Sequence, residues 1–154
     1  MKRSFLLLLV AAMNLFSLSA YSQAKEDTTA LLGLPGDNLD LYAVLDLFQK
    51  SKTIEGFEKS LNDEKTKINN LDLNLDKKID FIKVVTKKDG DSYTFILQVD
   101  VSKKETQDVA VILLDKGKDK KISLQIVGDE DLYGKDYVIE PKGNSSITAN
   151  PGYV

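Results

Sequence analysis

The sequence predicts an α+β domain in which two N-terminal helices pack on a four-stranded antiparallel meander. Three observations lead there. Apolar residues recur at helical spacing between Leu39 and Leu61, the pattern changes to alternation after Ile79, and Gly- and Asp-rich turns punctuate the second half at short intervals. A sheet of that size needs one face covered, and the two helices are the available cover.

The elements follow in order. Gly33-Leu34-Pro35-Gly36-Asp37-Asn38 is turn chemistry, and Asp37 with Asp40 three residues on resembles a capping box. A helix is expected from about Leu39 to Lys50, because Leu41, Val44, Leu45 and Phe48 recur at i, i+3, i+4 and i+7. Ser51 or Thr53 caps a second, shorter helix that ends near Asn62-Asp63, with Ile54, Phe57 and Leu61 as its single apolar stripe. Both stripes are core rather than a ligand groove.

The first strand is Ile79 to Thr86, rich in β-branched residues. Lys88-Asp89-Gly90-Asp91 is a hairpin turn, with Asp-Gly its strongest cue. In the second strand Tyr93, Phe95, Leu97, Val99 and Val101 alternate with mostly polar residues. Polar Lys103 to Gln107 leads to a third strand, Asp108 to Leu114. A turn at Lys116-Gly117-Lys118-Asp119 leads to a fourth, Lys121 to Val127. Gly128 to Gly134 is an acidic loop, and Asp136 to Pro141 is a candidate short edge strand ended by proline. The domain spans 31–141, and 142–154 is small and polar, the pattern of a disordered tail.

Residues 1–24 have the pattern of a secretory signal peptide. Lys2 and Arg3 form the basic n-region, Phe5 to Leu18 is mostly apolar, and small residues gather at Ser19, Ala20, Ser22 and Ala24. Cleavage after Ser22 or Ala24 leaves 25–30 as a leader. The apolar run is shorter than the ~20 residues needed to span a bilayer, so no membrane span is expected in the mature chain. A periplasmic or extracellular location follows.

Composition removes whole classes of chemistry. The chain has no Cys and no His, which excludes Ser-His-Asp and Cys-His catalysis and histidine-bound zinc. Without Cys there is no disulfide staple and no lipidation site at the cleavage point. Removing Lys2 and Arg3 takes the formal charge from -3 to -5, with no basic aromatic stripe, so nucleic acid is not an expected partner. A hydrolase using carboxylates alone would need two acids about 5–10 Å apart in a cleft. A non-catalytic module with a protein or glycan partner is the expectation. A metal-free periplasmic inhibitor or chaperone-like binder is the alternative, for which an exposed apolar sheet face would be the mark.

The stretch Asp72-Leu73-Asn74-Leu75-Asp76-Lys77-Lys78-Ile79-Asp80 places oxygen donors at positions 1, 3, 5 and 9 of a tight loop. Asp72, Asn74, Asp76 and Asp80 offer side-chain oxygens, and Lys78 offers its carbonyl at position 7. Ile79 is expected to pin the loop to the core. Leu71 to Val85 resembles the calcium loops of the Asp-x-Asp-x-Asp-Gly group. Position 12 is Lys83 and the exit is a strand, so the loop is similar to the FG-GAP type rather than to a standard EF-hand. The resemblance implies a Ca²⁺ site at the helix-to-sheet junction. Position 6, ordinarily Gly at positive φ, is Lys77, a conformation that costs a non-glycine residue roughly 1–2 kcal/mol. Ca²⁺ takes six to eight oxygens, so Asp129, Glu130 or Asp131 is a candidate to complete the shell. The remainder of the chain resembles small secreted proteins of Bacteroidota, which implies a location but no activity.

Overall fold

The computed structural model describes residues 31–117 and 121–142. They belong to the second of two compact units, Leu31–Val154. The expected signal peptide, leader and tail beyond Lys142 lie outside the described residues, as do Lys118 and Asp119 of the third turn.

A 3-10 turn over Pro35–Asn38 opens the domain, followed by helices α1 (Leu41–Lys50) and α2 (Ile54–Leu61). The N-cap of α1 is Asp40, whose Oδ1 accepts the Tyr42 amide at 2.9 Å. Asp37 is therefore not the cap. Its carboxylate accepts the Leu32 and Gly33 amides at 2.8 and 2.7 Å and tightens the preceding turn. Pro35 fixes that turn one step before the helix, so the helix begins at Leu41 rather than Leu39. Thr53 caps α2 by accepting the Gly56 amide at 3.0 Å.

The strands are β1 (Ile82–Asp89), β2 (Ser92–Ser102), β3 (Glu105–Lys116), β4 (Ile122–Gly128) and β5 (Val138–Ile139). All pairs are antiparallel in the order β1-β2-β3-β4-β5, so the meander has five strands rather than four. A one-turn helix, α3 (Glu130–Tyr133), replaces the expected acidic loop between β4 and β5. β1 starts three residues later than alternation suggested, because Ile79, Asp80 and Phe81 still belong to the preceding loop.

The helices cover one face of the sheet. Leu41, Val44, Leu45 and Phe48 of α1 and Phe57 and Leu61 of α2 meet Phe95, Leu97 and Val99 of β2, Ile112 and Leu114 of β3, and Leu124 and Ile126 of β4. Phe48 sits at the centre, with the Phe57 ring edge-on at 5.3 Å and the Phe95 ring at 5.0 Å. Each such side chain contributes about 1.5–3 kcal/mol by leaving water. A bulge in β3, where the register shifts between the Leu97 and Gln98 pairings, lets consecutive Val109 and Ala110 both bury. The outer edge of β1 is blocked by α2. Glu58 Oε2 accepts the Val84 amide at 2.7 Å, and the Asn62 amide pairs with both backbone groups of Ile82 at 2.8 Å.

The other sheet face carries an apolar row. Val85 stands opposite Ile96, Ile96 opposite Val111, Val111 opposite Val127, and Val127 opposite Val138. Directly paired residues share a face, so one β-branched side chain from every strand forms a continuous line. None of the five belongs to the helix-side core.

Candidate functional site: the Asp72–Asp80 loop

The loop lies between α2 and β1 and is wound by its own side chains. Asp72 accepts the Asp76 amide at 3.0 Å through Oδ1 and the Lys77 amide at 2.9 Å through Oδ2. Asn74 Oδ1 shares the Asp76 amide at 3.0 Å, and Asp76 Oδ1 accepts the Lys78 amide at 2.9 Å. Asp80 closes the ring, with Oδ2 accepting the Leu73 amide at 2.6 Å and its own amide donating to the Leu71 carbonyl at 2.7 Å. The backbone reverses through two non-glycine residues at positive φ, Leu75 at 60° and Lys77 at 68°.

Burial grades along the loop. Asp80 is only 8 % exposed, whereas Asp76, Lys77 and Lys78 are exposed. Ile79 does not pin the loop, since it is 53 % exposed. The anchor is instead Leu71, fully buried, together with inward-turned Asp80; turning Asp80 in leaves its neighbour Ile79 facing out.

The residues that hold this anchor carry no metal-type signal in the sequence. Asn69, 6 % exposed, donates to the Asp80 carbonyl at 2.8 Å and accepts the Leu71 amide at 3.1 Å, thereby clamping both ends of the loop. Its Nδ2 also reaches Asn62 Oδ1 at 3.2 Å, which ties the clamp to α2 and β1. Asn69 further forms an isolated bridge with Leu39. Its one sequence hint is the Asn69-Asn70 pair, a common turn signal.

A cation would find the following. Each carboxylate oxygen carries two lone pairs, so an oxygen that accepts one loop amide keeps acceptor capacity. The curled backbone and the side-chain oxygens of Asp72, Asn74, Asp76 and Asp80 therefore suit a hard cation in their chemistry. The carboxylates themselves stand apart: among the described residues no group of three or more acidic side chains is gathered tightly enough to hold a metal. For the same reason the Asp129–Asp131 segment does not join Asp72, Asp76 and Asp80 in one cluster. It serves its own helix instead, with Asp129 Oδ1 capping α3 through the Asp131 amide at 3.0 Å.

Two other features bear on chemistry. A groove of about 520 Å³ between α1 and residues 140–142 is lined by Asp40, Asp46 and Glu140. Asp40 caps α1 and Asp46 pairs with Lys50 at 2.6 Å, so two of these three acids are engaged by the helix. Near α3, Tyr133 donates to the Leu39 carbonyl at 2.9 Å and stacks on Tyr137 at 5.1 Å. Burial pushes the hydroxyl pKa of both tyrosines up. No described helix is long and apolar enough to cross a membrane. Comparison with protein families, with curated proteins and with solved structures returns no match.

Proposed function

We propose that this chain is a secreted, non-catalytic binding module whose helix-to-sheet junction is stiffened by one Ca²⁺ held by Asp72, Asn74, Asp76, the Lys78 carbonyl and Asp80. The observation that carries the reading is the shape of the loop without a cation. Four side-chain donors already curl toward its amides, and Leu75 and Lys77 accept left-handed backbone to allow it. Strain at non-glycine residues concentrates at functional sites. Three carboxylates with no cation repel, which accounts for their standing apart; Ca²⁺ would pull Asp72 and Asp76 in toward Asp80. Water completes the shell, and an affinity of about 10⁻⁴–10⁻³ M suits an extracellular module. The signal-type N-terminus and the absence of His and Cys agree with this reading. The contact surface for a partner is the apolar row on the open sheet face.

Thermal melting in EDTA and in millimolar CaCl₂, for the wild type and Asp76→Ala, tests the metal. Millimolar Ca²⁺ at one to ten times that Kd adds about 0.4–1.4 kcal/mol, growing with the logarithm of its concentration. The expected result is a Ca²⁺-dependent rise in Tm that Asp76→Ala abolishes. Identical melting in all arms removes the metal and leaves the alternative, a metal-free inhibitor or chaperone-like binder that works through the same open face.

A further inference from the structure

We propose that the groove between α1 and residues 140–142 takes a basic side chain, lysine or arginine, from a partner protein, and that Lys142 fills it in the free chain. β5 ends at Ile139, paired with Ile126. Pro141 has no amide to offer β4, so the ladder stops there. The chain crosses instead to α1, where the Lys142 ammonium lies 4.8 Å over the Tyr42 ring. The groove that both residues line holds about 520 Å³, ample for a side chain of that length. Its lining matches such a side chain part by part. Ala43 and Pro141 offer apolar surface to an aliphatic stem, and the Tyr42 ring and three carboxylates offer negative charge to the head. Asp40 spends Oδ1 on its cap and Asp46 spends Oδ2 on Lys50, so each keeps a second oxygen; Glu140 supplies the third carboxylate from the opposite wall.

The resident cation shows what the groove accepts, and its hold is loose enough to yield. Lys142 is exposed, and an exposed contact between an ammonium and a ring favours the closed state by only about two- to fivefold. Three carboxylates of the lining face two ammoniums, those of Lys50 and Lys142. The lining therefore carries one net negative charge with Lys142 in place and two once it leaves. A partner's basic side chain restores the balance that Lys142 gives up. The same negative potential reaches Tyr137, whose hydroxyl pKa is raised first by burial and then by Asp40, Tyr42 and Asp37. With Lys142 closed two- to fivefold over open, the groove is free about a third to a sixth of the time, and apparent affinity falls by that fraction. Removing Lys142 should thus tighten binding roughly three- to sixfold. The groove belongs to the helix layer, which packs on the other side of the sheet from the apolar row, so this is a second recognition site.

Titration of the ¹⁵N-labelled exported protein with the peptide acetyl-Ala-Lys-Ala-amide, followed by amide chemical shifts, tests this. Runs are made in EDTA, so the outcome is independent of the metal reading. Arginine and norleucine versions of the peptide separate charge from stem. Saturable shifts are expected at the Tyr42, Ala43 and Asp46 amides with the lysine and arginine peptides and not with norleucine. Tyr42→Leu should weaken binding about two- to fivefold, the share of the ring. Lys142→Ala should tighten it roughly three- to sixfold, whereas Lys87→Ala, which removes the same charge from β1 at the other edge of the sheet, should leave it unchanged. Lys142 lies beyond the last strand, so its variant decides the matter even if Tyr42→Leu fails to fold. Absence of shifts, shifts spread evenly over the acidic surface, equal binding of the norleucine peptide, or a Lys142→Ala variant that binds no tighter than Lys87→Ala each overturns the proposal.

Discussion

At the scale of single residues the fold turns on two close approaches and one strained turn. The Tyr133 ring lies between Gly36 and Gly128, and a Cβ on either glycine would come within 2.6 Å of ring carbons. The ring cannot slide away, because its hydroxyl is tied to Leu39. Gly128→Ala is therefore expected to cost about 1–3 kcal/mol as overpacking, read as a lower urea midpoint. A substitution cheaper than ~0.5 kcal/mol would mean that the tyrosine is free to move. Lys77 presents the opposite case. At φ 68° its side chain is exposed and serves no described contact, so Lys77→Gly relieves backbone strain. A gain of roughly 0.5–1 kcal/mol is expected, part of the ~1–2 kcal/mol penalty being offset by glycine's greater freedom in the unfolded chain.

At the scale of elements, the loop depends on a clamp outside it. Asn69→Ala leaves the Asp80 carbonyl and the Leu71 amide without their buried partner, at a cost of about 1–3 kcal/mol for each group left unsatisfied. Hydrogen exchange should then quicken at the Asp76, Lys77 and Lys78 amides while the β2 and β3 amides keep their protection. Uniform acceleration would make Asn69 a general core residue rather than the loop's anchor. The contrast with the helices and strands explains what the sequence disclosed. The stripes of α1 and α2 and the alternation of β2 were legible because burial against one large surface imposes a period. The Asp-Gly turn and the bend at Pro35 were legible as local chemistry, and the cap of α2 as a choice between Ser51 and Thr53 that the Gly56 amide settles for Thr53. The start of α1 was not, because Asp37 and Asp40 are equally good caps and only the 3-10 turn decides between them. β5 has two residues, too few for a period to show. Asn62 and Asn69 act through partners 20 and 11 residues away, which no window on the sequence brings together. The Asp72–Asp80 spacing was plain in the sequence, yet the outward turn of Ile79 was not, because it follows from which of two neighbours the core accepts.

At the scale of the whole molecule, composition and burial together set how stability depends on pH. The chain has no His and no Cys, so no side chain with an ordinary pKa titrates between about pH 5.5 and 8.5. Stability should be nearly flat across that window. At the acidic side the Lys83 ammonium, 2.6 Å away, holds the Asp100 carboxyl below its usual value of 3.8, but both side chains are exposed and the loss on acidification is small. The alkaline side differs. Burial raises Tyr133 well above the ordinary tyrosine value of 10.0, because a tyrosinate there would lose its water and its hydrogen bond to Leu39. Tyr137 moves the same way. A folded-state pKa above the unfolded one means that the contribution is fully present below about pH 10 and is lost as pH rises beyond it, because the unfolded chain releases the proton first. Urea midpoints measured from pH 6 to 11 should hold level and then fall, with a further step of tyrosinate absorbance, present in the wild type and missing from Tyr133→Phe, accompanying the fall. Tyr133→Phe should lower the neutral midpoint by about 1 kcal/mol through the lost hydrogen bond and flatten the alkaline limb. Should the phenylalanine variant fall as steeply as the wild type, the alkaline limit belongs to the exposed lysines and not to the ring that closes the sheet over the Leu39 turn.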